Sequence, residues 1–190
     1  MKLLLYCTKA NPYLYDHLGI RRSWDKRFNI EKVKQSGLDE LLLNGKIVAE
    51  CDFEVEEINC SSVFNHCYAT WNLGQDELLK FSCLERKQLV DYLGYENEID
   101  GNWCGYAIHI KNLHIFDKPR ELYDCLIHPK IEPKYYGCEH LSKAPQNMMY
   151  VELDDIKYIL ISIHPEWLVK ILNKEKTIEV RKKVLKEMLG

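Results

Sequence analysis

Apolar and polar side chains alternate with a period of two in several short segments, and this period is typical of β-strands. In residues 46–58, Ile47, Ala49 and Cys51 alternate with neighbours that include Glu50 and Asp52. Similar apolar or alternating segments predict further strands at 2–8, 103–116, 148–151, 157–163 and 177–180. We expect most of these strands to pair antiparallel.

Helical periodicity is found in two regions. Residues 75–94 predict one or two helices, with Ser82 as an N-cap and Gly94 as the C-terminal stop. Residues 164–174 predict another helix, in which Pro165 suits the first turn and Asn173 can take the left-handed position after the last turn. The other segments are interpreted as a loop or irregular excursion at 21–37, a turn or helix start at 118–122, a loop at 123–147, a linker at 153–155 and a loop or frayed helical turn at 182–190. Together these elements predict an α+β fold around a small, mixed or antiparallel β-barrel with flanking helices.

Composition is that of an ordinary globular protein. The 190 residues are 46% hydrophobic and 29% charged, which predicts a single domain with one sizeable core. No apolar run reaches the ~18 residues needed to cross a bilayer, and the first residues lack the features of a signal peptide. We therefore expect a cytoplasmic protein with no membrane partner; the oligomeric state is not indicated.

The eight cysteines have no C-x-x-C spacing, so neither a zinc ribbon nor a thioredoxin-type motif is present. Several lie in apolar runs, which predicts reduced, buried thiols. The pairs His66–Cys67 and Cys138/His140 carry metal-binding side chains, but neither has a second matching pair. We therefore predict no metal and no other cofactor.

Charge is distributed unevenly along the chain. The net charge of the whole chain is −3, which argues against a broad, non-specific nucleic-acid coat. Residues 170–186, however, hold seven cations and two carboxylates, a local net charge of +5. This segment is either an edge strand protected by charges or the lip of a pocket. In a pocket, Lys176 and Arg181 would supply positive charge, and Glu179 would orient one of them or accept from a ligand.

Residues 159–183, ILISIHPEWLVKILNKEKTIEVRKK, resemble the opening of the ASCH domain, a PUA-like β-barrel family whose pattern is S-I-K-P followed by I-L-x-G-x-K-x-x-E-x-R. Lys176, Glu179 and Arg181 match the K-x-x-E-x-R core. Two departures are visible: His164 stands where Lys is common, and Asn173-Lys174 replaces x-Gly. The remainder of the chain, except 16–37 and 123–140, is similar to successive parts of small phage and prophage ASCH proteins.

The order of these parts differs from that of the family. The S-I-x-P block, residues 158–190 here, comes first in such proteins and the YCTK strand follows it; in this chain the block comes last. Joining Gly190 to Met1 would restore the usual order, with residues 153–157 bridging the usual termini. We interpret the chain as one circularly permuted ASCH/PUA-like domain spanning 1–190. The alternative is that the last block completes the barrel of a neighbouring molecule by swapping.

The resemblance implies a cleft beside the barrel that holds RNA or a modified nucleoside or nucleotide. The implied lining consists of Lys176, Glu179, Arg181, Thr8, Lys9, His109, Gln146 and Asn147. Trp103 or Tyr106 would stack on a base. Each also has a structural interpretation: His109 as a satisfied strand histidine, Trp103 as core, and the two amides as backbone partners.

Three functional hypotheses stay open. The first is an RNA- or nucleotide-binding ASCH protein. The second is a small amidohydrolase that acts on a modified nucleoside, since some small ASCH proteins cleave acylated cytidine with a Lys, a Thr three residues later and a carboxylate. The third is a phage accessory protein that acts through protein contacts. Lys176 matches the Lys of these amidohydrolases, but Glu179 replaces the Thr, so a carboxylate would have to activate water instead. Lys176 and Glu179 are the candidate catalytic residues, and we lean towards a protein without enzymatic activity.

Overall fold

The computed structural model describes residues 1–8, 45–61, 66–69, 74–93, 102–127 and 139–189. Its strands are β1 (Lys2–Cys7), β2 (Ile47–Ser61), β3 (His66–Ala69), β4 (Asn102–Arg120), β5 (Leu126–Ile127), β6 (Glu139–His140), β7 (Met148–Leu153), β8 (Ile156–Ile163) and β9 (Ile178–Arg181). Its helices are α1 (Gln75–Ser82), α2 (Arg86–Leu93) and α3 (Pro165–Leu172), with 3-10 turns at Leu122–Asp124 and Lys186–Met188. This is a mostly-sheet α+β fold, so the α+β part of the prediction is confirmed.

Contacts divide the chain into two compact units. Unit 1 comprises Met1–Cys51 and Leu113–Asn173, and unit 2 comprises Asp52–Asn112 and Lys174–Gly190. The long strands β2 and β4 contribute residues to both units. Each unit has a buried apolar cluster of its own.

In unit 1 the strands follow the order β6-β5-β7-β8-β1-β2. β1 pairs in parallel with β8, from Lys2↔Tyr158 to Cys7↔Ile163, and antiparallel with β2. A strand that has neighbours on both sides and is covered on both faces is apolar at nearly every position. This explains the sequence KLLLYC of β1, in which five of the six residues are buried. One core cluster joins Leu4 and Tyr6 to Val151, Tyr158 and Leu160.

A two-residue turn joins β7 to β8. Asp154 and Asp155 both have positive φ, 51° and 62°, and the flanking residues Leu153 and Ile156 pair directly. Two consecutive left-handed residues are typical of the tight turns that suit the twist of a hairpin. The interpretation of 153–155 as a linker was therefore wrong, because these residues close an antiparallel hairpin.

The helix predicted at 164–174 is α3, and Pro165 occupies its first turn as expected. The residue that takes the left-handed conformation after it is Lys174, with φ 61°, whereas Asn173 has φ −81°. The prediction for Asn173 is therefore corrected by one position. Lys174 stands where the ASCH pattern has Gly, the residue that adopts this conformation without a steric penalty.

In unit 2 the order is β2-β4-β9, with β3 on the other side of β2. α1 and α2 cover this part of the sheet through Leu78, Leu89 and Leu93, which share a core cluster with Ala107 and Val180. Apolar residues four apart on α2 lie on one face of a helix, which explains the packing of Leu89 and Leu93.

Ser82 is the last residue of α1 and not the N-cap of the next helix, so this prediction was wrong. Cys83, with φ 54°, reverses the chain, and α2 begins at Arg86. α1 itself begins after Gly74, whose amide donates to the carboxylate of Glu77.

Five other expectations need correction or lie outside the described residues. The strand order within each unit is open, so the described strands do not show a closed barrel. Residues 118–120 belong to the end of β4, and the loop predicted at 123–147 contains β5 and β6. The loop predicted at 21–37 and the helix stop at Gly94 lie outside the described residues. Among the residues that are described, no helix is long and apolar enough to span a membrane.

Candidate functional site

The three side chains of the K-x-x-E-x-R motif meet in unit 2. One carboxylate oxygen of Glu179 lies 3.4 Å from the ammonium of Lys176, and the other lies 3.0 Å from the guanidinium of Arg181. We call these three residues the ionic cluster. Glu179 and Arg181 are two residues apart on β9 and so project from the same face, where Ile108 and Tyr106 of β4 lie opposite them.

Lys176 precedes β9 and reaches the C-terminal end of α1. Its ammonium donates a 2.7 Å hydrogen bond to the carbonyl of Ser82. The adjacent amide of Thr177 donates to the carbonyl of Phe81 at 2.9 Å. The last carbonyls of a helix lack partners within the helix and carry partial negative charge, so a cation is stabilised there.

Burial dominates the electrostatics of the ionic cluster. The exposed fraction is 2% for Lys176 and 8% for Glu179. Desolvation lowers the pKa of Lys176, and the attraction of Glu179 opposes only part of this shift. β9 is an edge strand in the pairing order of the described strands, yet Glu179 is buried and the side chain of Arg181 is only 12% exposed. Both are held by partners, whereas the protected-edge interpretation would require charges that extend into solvent.

The ionic cluster reaches the surface through Tyr92, near the end of α2. The guanidinium of Arg181 donates a hydrogen bond to the hydroxyl of Tyr92, whose side chain is 41% exposed. The ammonium of Lys182 lies 5.9 Å from the centre of the Tyr92 ring. Partial burial raises the pKa of Tyr92, and Arg181 opposes part of that shift.

Tyr92 was missed by sequence reasoning. The signal that could have identified it is its position in α2, where it lies off the apolar stripe formed by Leu89 and Leu93. A single exposed aromatic residue is common on protein surfaces, so this position becomes informative only together with the cations that lie beside it.

His109, also in unit 2, has a structural environment. Its Nε2 atom lies 3.4 Å from the carboxylate of Glu56 on the neighbouring strand β2, and next to it Lys111 pairs with Glu54 at 2.6 Å. Cross-strand pairs of this kind stabilise a sheet. His109 thus lies in a sheet beside a carboxylate, but its Nε2 atom is buried and makes no hydrogen bond within the described part of the chain. Its interpretation as a satisfied strand histidine stays a prediction.

The other predicted lining residues belong to unit 1. The hydroxyl of Thr8 lies 3.4 Å from Nδ1 of His164. Gln146 is exposed, and the backbone carbonyl of Asn147 accepts from the amide of Ser162 at 3.0 Å. Lys9 and the side chain of Trp103 lie outside the described residues.

The candidate metal residues give no ligand group in the part of the chain that is described. His140 donates from Nδ1 to the carbonyl of Tyr123 at 2.7 Å. The side chains of His66 and Cys67, and all of Cys138, lie outside the described residues. No cluster of three or more His, Cys, Asp or Glu side chains that could hold a metal occurs among the described residues.

No family model, curated protein or solved structure matches the chain. The ASCH resemblance is therefore carried by the sequence motif alone. Any functional proposal for this chain depends on the geometry of its own side chains, above all on that of the ionic cluster.

Proposed function

We propose that this protein binds RNA or a nucleotide through the surface formed by Tyr92, Arg181 and Lys182, and that it is a permuted ASCH/PUA-like domain. The observation that carries the binding proposal is that the exposed Tyr92 has one cation, Arg181, at its hydroxyl and another, Lys182, 5.9 Å from the centre of its ring. Proteins that bind single-stranded nucleic acid combine aromatic faces, on which bases stack, with cations that contact the phosphates.

The buried part of the ionic cluster would orient the binding residue. Glu179 holds Arg181 at 3.0 Å on one side, and Lys176 holds Glu179 on the other. An arginine whose fork is fixed before binding loses less conformational freedom when it contacts a phosphate. In this proposal Lys176 and Glu179 are positioning residues, and Arg181 contacts the ligand.

The hydrolase alternative depends on Lys176 and Glu179 as catalytic groups. Desolvation lowers the pKa of Lys176, which is how proteins prepare a lysine for proton transfer. Its ammonium, however, is buried and donates to the carbonyl of Ser82. A group that acts on a ligand must reach it, and the Lys176 side chain is 2% exposed against 12% for Arg181, so Arg181 is the more accessible of the two cations. This difference favours the binding function.

The permuted order is supported by the hairpin between β7 and β8. In the usual order of the family the ends of these two strands would be the chain termini. Here they lie side by side and a two-residue turn joins them. Termini that are this close can be joined with little strain, which is the condition under which a permutation is tolerated.

The binding proposal can be tested with short, labelled single-stranded RNA and fluorescence anisotropy at several salt concentrations. We expect salt-sensitive binding in the wild type. Arg181→Gln should weaken it at least about tenfold, because a charged contact held in place by the protein is lost. Tyr92→Ala should weaken binding with little change in the salt dependence, because stacking does not involve counterions.

The matched control is Lys111→Ala, which removes one cation from another surface of unit 2. Equal weakening by Lys111→Ala and Arg181→Gln would show only a general charge effect and would refute the proposed surface. Wild-type protein that releases acyl groups from acylated cytidine without binding RNA would favour the hydrolase instead.

A further inference from the structure

Unit 1 contains an open cavity of about 600 Å³. It lies at the ends of β1 and β4, beside the 3-10 turn Leu122–Asp124, and the segment 141–144 forms another wall. Cavities between about 300 and 1,000 Å³ are of the size that holds small molecules. All its lining residues belong to unit 1, so it shares none with the ionic cluster.

An exposed aromatic pair stands at this cavity. Tyr123, which lines the cavity, stacks on His140 with ring centres 4.1 Å apart and an angle of 8° between the rings. The hydrogen bond from His140 Nδ1 to the carbonyl of Tyr123 fixes this arrangement. Tyr123 is 63% exposed, so much of its surface stays accessible to a ligand although His140 holds the ring in place.

The cavity also combines an apolar wall with polar groups. Leu141 and Leu122 supply apolar surface, and Thr8 and Ser142 supply hydroxyls. The ammonium of Lys46 forms an ion pair with the carboxylate of Glu121 at the cavity wall. The charged lining residues are Glu121 and Lys143. Lys46, which does not line the cavity, neutralises Glu121, so Lys143 is the lining cation that is left to face a ligand.

We propose that this cavity binds a small planar aromatic ligand that carries one anionic group. The ring would stack on Tyr123, which is fixed by His140, and the anion would face Lys143. An aromatic ring offers a flat, sequence-independent stacking surface, and a lysine ammonium is a flexible point charge that accepts a carboxylate or a phosphate. This site goes beyond the proposed RNA-binding surface and does not depend on it.

Isothermal titration calorimetry with matched probes tests the proposal. Benzoate and cytidine 5′-monophosphate carry a ring and an anion, benzamide and cytidine lack the anion, and acetate lacks the ring. We expect one or both of the first two to bind at millimolar concentration or below, and each of the other three to bind at least about fivefold more weakly. A preference for benzoate would identify an aromatic carboxylate as the ligand source, and a preference for cytidine 5′-monophosphate a nucleotide.

Two variants connect the binding to the cavity. Tyr123→Ala should weaken the favoured probe at least about fivefold, whereas Tyr150→Ala, an exposed tyrosine of the same unit outside the lining, should leave it unchanged. Lys143→Gln should remove the preference for the anionic probe, and the exposed Lys157→Gln should not. Since both tested side chains are exposed, these variants should fold.

Several results would overturn the proposal: no binding of any probe, binding of the favoured anionic probe no tighter than that of its uncharged counterpart, or unchanged binding in Tyr123→Ala. Arg181→Gln separates the two proposals, because it should weaken RNA binding and leave the cavity probe unaffected. Failure of the RNA assay alone would therefore refute only the surface on unit 2.

Discussion

The ammonium of Lys176 binds the backbone carbonyl of Ser82, a residue 94 positions earlier in the chain. This contact attaches the segment before β9 to the end of α1. Lys176, the first residue of the K-x-x-E-x-R motif, therefore has a structural role that does not depend on any ligand. The motif therefore has two structural effects: it closes the helical side of unit 2, and it holds Arg181 beside the exposed Tyr92.

Replacing Lys176 with Met tests this structural role directly. The variant leaves the carbonyl of Ser82 without its side-chain donor and removes one of the two cations held by Glu179. A buried acceptor without a partner costs about 1–3 kcal/mol, so we expect the free energy of unfolding to fall by about 2 kcal/mol. Urea unfolding followed by circular dichroism measures it. Lys183→Met, at an exposed lysine two residues after β9, is the control, and equal stability of the two variants would contradict the prediction.

Sequence patterns predicted the strands well because the alternation of apolar and polar side chains depends only on residues that are neighbours in sequence. The expected segments at 2–8, 157–163 and 177–180 correspond to β1, β8 and β9, and Pro165 marks the start of α3. Contacts such as Lys176–Ser82 join segments far apart in sequence, so no local pattern contains them. Local patterns do not identify Tyr92 either, because its candidate role in binding depends on Arg181, which lies beside it in the fold but is distant in sequence.

Errors of the sequence interpretation concern turns and helix ends. Ser82 has the chemistry of an N-cap, but the left-handed Cys83 that follows it makes it the end of α1. Asp154 and Asp155 are polar enough for a linker, yet aspartate also tolerates the left-handed conformation that a hairpin turn demands. In both cases the residue type permits two local structures, and packing of the flanking elements selects one.

Lys174→Gly is expected to stabilise the protein. Lys174 has φ 61°, a conformation that costs about 1 kcal/mol or more for a residue with a Cβ and little for glycine. Glycine also raises the conformational entropy of the unfolded chain, which offsets part of this gain. We therefore expect the free energy of unfolding to increase by up to about 1 kcal/mol. Thermal and urea unfolding provide the measurement. Asn173→Gly, at φ −81°, should give no increase; a larger gain at Asn173 than at Lys174 would show that the left-handed position is misassigned.

Gly105→Ala should destabilise unit 2. A Cβ at this position would lie 2.5 Å from Leu93 Cδ2 and 3.2 Å from the carbonyl of Arg181. The buried Leu93 side chain would therefore have to move, and the backbone of β9 at Arg181 would have to shift slightly. Overpacking of a core costs about 1–3 kcal/mol, and we expect a loss in this range by urea unfolding. RNA affinity should fall as well if the proposed surface is correct, because the shift would move Arg181.

Gly74→Ala is the control for this variant, since the added Cβ would meet only a carboxylate oxygen of Glu77 at 4.0 Å. It should change stability far less than Gly105→Ala. Tolerance of alanine at both positions would mean that α2 does not pack against β4 as closely as described.

The thiol of Cys7 should make the protein less stable in alkali. Burial raises the pKa of Cys7 from 9.0 to about 12. Above pH 9 the unfolded chain releases this proton and the folded protein keeps it, so the free energy of unfolding falls as pH rises from 9 towards 12. At pH 10 the contribution of this thiol is a loss of about 1.4 kcal/mol relative to neutral pH.

Urea unfolding at pH 8 and pH 10 under reducing conditions measures the effect, with Cys7→Ala beside the wild type. We expect the variant to lose about 1.4 kcal/mol less than the wild type between the two pH values, because the other ionisable groups are the same in both chains. Val48→Ala, which truncates a buried side chain of unit 1 that does not ionise, should show the pH dependence of the wild type. Identical pH dependence in the wild type and Cys7→Ala would mean that this thiol ionises as readily in the folded protein as in the unfolded chain, and that β1 does not exclude water at its C-terminal end.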